Sequence, residues 1–122
     1  MNFSKAVALF LLLSLAATGC YYDVEEEIYP STECDTTDIS YSMDVLPIIE
    51  NNCYVCHDQA TNLGNVTLEG HAHLKTMADN GKLLGVIKHQ AGFPQMPQNA
   101  PQLIECDIAK IEQWVNDGAL DN

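Results

Sequence analysis

Seventeen acidic residues face five lysines and no arginine in this chain of 122 residues, for a net charge of −12. So acidic a surface excludes nucleic acid as a partner, because phosphates need a basic face. With an export signal set aside, about a hundred residues remain, enough for one small domain with a modest core and too few for two.

Residues 1–19 begin with Lys5 in a short basic start, run apolar from Ala6 to Ala17 except for Ser14, and close on Thr18-Gly19 before Cys20. This predicts an export signal, too short to be a spanning helix. Its end resembles a bacterial lipobox, which implies that Cys20 is acylated and becomes the mature N-terminus, although Ala17 stands where leucine is usual. A plain signal peptide cleaved nearby is the competing reading. Lys5 leaves with the signal, so the mature chain sets four lysines against 17 acids, a net charge of −13.

Residues 20–39 carry Asp23, Glu25, Glu26, Glu27, Glu33, Asp35 and Asp38 around Pro30, with no sustained apolar period. The stretch reads as an acidic tether. An acidic run soon after a lipidated cysteine also resembles the surface-export signal of lipoproteins in Bacteroidetes-type outer membranes. Residues 40–122 are then the folded domain.

From Ser42 the pattern turns helical, with Val45, Leu46, Ile48 and Ile49 apolar, Ser42 or Asp44 as cap, and Pro47 tolerable only in the first turn. The helix is expected to end near Asn51-Asn52 and to deliver Cys53-Tyr54-Val55-Cys56-His57. This Cys-x-x-Cys-His run is a c-type haem attachment motif. Two thiols three positions apart on one helical turn can reach both vinyl groups on one edge of the macrocycle, and His57 follows where the chain turns beneath the porphyrin to meet the iron. In so small a domain a covalently held apolar cofactor would be part of the core, and the apo-protein is expected to fold poorly.

Two other chemistries use the same residue types. A structural zinc site needs a fourth ligand at short spacing, and the next cysteine is Cys106. A redox Cys-x-x-Cys of thioredoxin type sits in a βαβ pattern that is missing here.

Residues 58–80 are looser, punctuated by glycine, with a short helix expected over 71–78. His71 and His73 point about 200° apart on such a helix and cannot share one ion, so they read as surface histidines. Residues 82–90 suggest another helix with Leu83, Leu84, Val86 and Ile87 buried, and His89 on the opposite face. His89 is the histidine alternative for a second axial ligand, and the wheel argues against it.

Residues 91–102 hold Gly92, Pro94, Pro97 and Pro101 around Met96 and cannot form a continuous helix or ladder strand. A proline-stiffened loop presents a side chain at low entropic cost, and Met96, 39 positions after His57, can bring a thioether to the distal iron face. The competing role is a methionine filling a core gap, which is how Met43 and Met77 read in their helical patterns. Residues 105–117 form the clearest helix, with Ile104, Ile108, Ile111 and Val115 in period, Trp114 beside them and Gly118 as the stop. Its apolar face is expected to pack on the Val45 to Ile49 segment.

A helix ending in Cys-x-x-Cys-His, a later Met-Pro loop, and a last helix with Ile111-x-x-Trp114-Val115 and Asn116-Asp117-Gly118-Ala119 resemble a small class I-type cytochrome c domain, of the single-haem kind found in bacterial lipoproteins. The resemblance spans about residues 41–120 and implies an all-α fold in which N- and C-terminal helices cross around one covalently bound haem c. Cys53 and Cys56 would carry the thioethers, with His57 and Met96 as axial ligands. Ile104 stands where a capping serine or threonine is usual.

With both axial positions filled by protein, iron has no open site for substrate, and one-electron exchange remains. The expectation is a carrier rather than an enzyme, held at an envelope membrane by a lipid on Cys20, facing periplasm or cell surface, and exchanging electrons with redox proteins. The acidic charge reads either as a plain solvated surface or as a match for a basic docking surface on such a partner. A five-coordinate haem that binds a gas or peroxide is the rival reading. Cys34 and Cys106 are left over in an oxidising compartment and are expected to pair.

Overall fold

The structure, a computed structural model, describes residues 34–122. The export signal, Cys20 and most of the acidic tether lie outside the described residues. Those described are all-α, with no strand among them.

The first element is a π-turn, Tyr41–Val45, that runs directly into α1, Leu46–Asn52. Its start is held reciprocally: the Ser40 hydroxyl accepts from the Met43 N–H at 3.1 Å, and Asp44 Oδ2 accepts from the Ser40 N–H at 3.0 Å. This is the logic of a capping box stretched by one residue. The cap is therefore Ser40 rather than Ser42 or Asp44, and Asp44 closes the loop back onto it. Val45, Ile48 and Ile49 are buried as their spacing predicts, but Met43 is 79% exposed and is not a packing residue. The turn points Met43 outward while Tyr41 and Val45 take the inner positions.

After the short helix α2, Tyr54–His57, the chain doubles back through a 3-10 turn, Leu63–Asn65. The left-handed backbone at Asn62, Gly64 and Asn65 makes that reversal possible. Next come α3, His71–Asp79, and α4, Lys82–Ile87, which meet at Gly81 with φ of 74°. Leu74 and Ala78 on α3, with Leu83 and Ile87 on α4, enter the core. α4 stops three residues earlier than its apolar pattern predicts, because His89 adopts φ of 52°.

The last helix, α5, is Glu105–Asn116. It packs on the Tyr41–Val45 turn and on α4, and buries Ile111 and Trp114 completely. Ile104 is 67% exposed, and Leu103 takes the buried position before the helix. The backbone at Ile104 is extended, so the helical period does not reach back to it. Each wholly buried Ile49, Leu74 or Ile111 contributes on the order of 2 kcal/mol by leaving water.

Beyond α5 the chain folds over its own tryptophan. Trp114 Nε1 donates to the Leu120 carbonyl at 2.9 Å, and the Tyr41 N–H donates to Asn122 Oδ1 at 2.8 Å. The Tyr41 and Trp114 rings stack at 5.8 Å between centroids. Cys34 and Cys106 form a disulfide that ties the segment before the π-turn to the first turn of α5. Ile39 is buried, so the end of the expected tether belongs to the folded body. Lys110 pairs with Asp44 at 3.3 Å across the same junction.

Candidate functional site

Cys53, Cys56 and His57 share one tight turn. The Cys53 carbonyl accepts from the Cys56 N–H at 3.1 Å and from the His57 N–H at 2.9 Å, while the Cys53 N–H still closes α1 on Ile49 at 2.8 Å. Cys53 thus sits between two helical pieces, with φ of −121° marking the break. Both thiols are free and half-buried, and Cys53 packs against the core with Tyr54. Val55, between the cysteines, is 77% exposed.

Burial, and next the neighbouring Cys56, push the Cys53 thiol up to about 11. A redox Cys-x-x-Cys works the other way, with an acidified thiol at an electropositive helix start. Among the described residues no three His, Cys, Asp or Glu side chains gather where they could hold one metal ion. The two thiols and the imidazole therefore do not converge as a tetrahedral set.

The His57 ring has a fixed tautomer. Its Nδ1 lies 3.1 Å from the Val66 carbonyl, and a carbonyl can only accept, so Nδ1 carries the proton and Nε2 keeps its lone pair. The same stretch grips the backbone, for the Leu68 N–H donates to the His57 carbonyl at 2.8 Å. Val66 and Leu68, in a stretch whose pattern reads as loose, are thus the support of the histidine. No sequence signal points to them, because a carbonyl acceptor is independent of side-chain type.

Met96 lies half-buried in its proline-rich loop. Its N–H donates to the Val86 carbonyl at 3.1 Å, and its own carbonyl lies 3.1 Å from His89 Nε2. The loop also rests on a glycine: a Cβ on Gly85 would stand 2.7 Å from the Phe93 ring carbons. Gln102 Nε2 donates to the Ile87 carbonyl at 2.9 Å and fastens the far end of the loop.

The other histidines have separate tasks. His71 is not a surface residue: its side chain is 18% exposed, its ring meets Tyr41 edge-on at 4.9 Å, and Nε2 bonds the Ala119 carbonyl at 2.9 Å. The fold-back of residues 119–122 covers it, which helical periodicity alone cannot reveal. His73 is exposed and bonds the Glu69 carbonyl at 2.7 Å. Met77 is partly buried against the core.

Comparison with family models, with curated proteins and with solved structures finds no match for this chain.

Proposed function

We propose that this chain carries one covalently attached haem c in a small class I-type cytochrome c fold and serves as a one-electron carrier tethered in the bacterial envelope. The observation that supports this most is His57: it directly follows two free thiols on one turn, and its Nδ1 is spent on the Val66 carbonyl, leaving Nε2 for a metal. Orienting a ligating imidazole through a hydrogen bond on its other nitrogen is the common way proteins fix such a ligand.

Haem c supplies reversible one-electron exchange at iron. The chain supplies the rest. Cys53 and Cys56 would hold the macrocycle edge as thioethers, His57 Nε2 would take the proximal position, and the Met96 thioether the distal one. A soft sulfur ligand favours the ferrous state and raises the potential relative to two histidines. With both positions held by protein side chains no site is left for substrate, which is why a carrier is proposed and not an enzyme. The mature net charge of −13 suits a redox partner with a basic docking surface, and Cys20 would provide the lipid.

The test is expression with a haem-attachment system, followed by a denaturing gel stained for haem peroxidase activity. A stained band that survives acid-acetone extraction and disappears in Cys53→Ser/Cys56→Ser is expected. Protein without iron overturns the proposal. Wild-type reduced protein that binds carbon monoxide freely moves it to the five-coordinate sensor or peroxidase reading. Cys20→Ser is expected to release the protein from membranes or block its processing.

A further inference from the structure

We infer that His89 is a positioning residue for Met96, fixing the loop that aims its thioether; this rests on the reading of Met96 as distal ligand. His89 lies two residues beyond α4 and adopts φ of 52°, a left-handed backbone that a side chain with a Cβ takes up only at a cost. That conformation ends the helix and accompanies the contact of Nε2 with the Met96 carbonyl at 3.1 Å. Because the carbonyl only accepts, Nε2 carries the proton and offers no lone pair to a metal.

Met96 is consequently held at both ends of its own residue. Its N–H goes to the Val86 carbonyl at 3.1 Å, and its carbonyl receives the His89 ring. Both partners belong to α4 or its immediate continuation, and α4 is anchored in the core through Leu83 and Ile87. The Gln90 N–H donates to the Gly85 carbonyl at 3.0 Å, and the Phe93 N–H to the Gln90 carbonyl at 3.2 Å, which completes the frame. Methionine has three rotatable side-chain bonds and makes a poor fixed ligand unless its stem is held. Among the described residues, His89 is the one side chain that hydrogen-bonds the Met96 main chain.

Three holoprotein variants test this: His89→Gly, His89→Gln and Met96→Ala. The readouts are the sulfur-to-iron absorption band of the oxidised protein and carbon monoxide association with the reduced protein. His89→Gly suits the left-handed backbone and removes the whole side chain, Cβ and ring together; if the ring does not hold Met96, both readouts stay unchanged. The inference expects His89→Gly to keep the wild-type circular dichroism yet weaken the band. It also expects about a fivefold to tenfold faster uptake of carbon monoxide, the population shift for one lost hydrogen bond. His89→Gln, which keeps an N–H donor, is expected to recover part of both.

A wild-type band that Met96→Ala abolishes and His89→Gly leaves intact, with unchanged carbon monoxide uptake, overturns this inference alone. A wild type without the band, behaving as Met96→Ala does, overturns the reading of Met96 and this inference with it. A bis-histidine spectrum lost in His89→Gly makes His89 the ligand and overturns both.

Discussion

His57 and Val66 are joined by a side-chain to main-chain hydrogen bond of 3.1 Å in which the imidazole is the donor. His71 and His89 use the opposite nitrogen, each giving Nε2–H to a carbonyl. Nitrogen–proton correlation spectra of the reduced protein with neutral imidazoles are therefore expected to place the ring proton on Nδ1 in His57 and on Nε2 in His71 and His89. A His57 proton found on Nε2 would remove the nitrogen on which the proposed site depends.

Tyr41 makes stability fall at alkaline pH. Burial, followed by Tyr54, Asp121 and Glu50, pushes its phenol from the ordinary 10.0 up to about 12. The folded state thus holds this proton more tightly than the unfolded one. The contribution is fully present below pH 10 and is lost as pH rises from 10 to about 12. Denaturant midpoints measured across that window should decline, and Tyr41→Phe should flatten the decline. An equally steep fall in Tyr41→Phe would assign it to other groups.

The Cys34–Cys106 disulfide spans 72 positions. Closing so long a loop in the unfolded chain is worth about 4 kcal/mol by chain-entropy arguments, less any native strain. Cys34→Ala/Cys106→Ala should lose stability of that order in urea titrations while keeping its helical circular dichroism. Two reactive thiols in unfolded wild-type holoprotein, counted without reductant, would show that the bond is not formed.

Gly85→Ala is expected to disturb the methionine loop from behind. The added methyl would meet the Phe93 ring at 2.7 Å, so the ring, 36% exposed, has to shift from its place against α4. Overpacking costs about 1–3 kcal/mol, offset by the better helix propensity of alanine. The net loss in the melting curve should be small, while the Met96 N–H should exchange with solvent faster than in wild type. Unchanged exchange would mean that the Phe93 contact does not support the loop.

The apolar periods of α1, α4 and α5 were legible because their burying residues repeat every three or four positions, as Leu83 with Ile87 and Ile111 with Trp114 do. The turn that gathers Cys53, Cys56 and His57 was legible because the three residues are near neighbours in the chain. What escaped was decided at long range or by main-chain atoms. His71 is covered by residues nearly fifty positions away, Val66 contributes a carbonyl that no side chain advertises, and Met43 followed a helical period into a segment that folds as a π-turn instead. His89 was visible as a ring on the wrong face of a longer helix. Its left-handed backbone shortens that helix and turns the residue toward Met96.

The disulfide also sets how load enters the molecule. Whatever precedes Cys34 in the chain, a pull along it reaches the Cys34–Cys106 bond before it reaches Ile39, Ser40 or Tyr41. Part of the force passes through that covalent link into α5, whose Trp114 and Ile111 are wholly buried. The capped π-turn, held by hydrogen bonds that would rupture one at a time, is mechanically shielded.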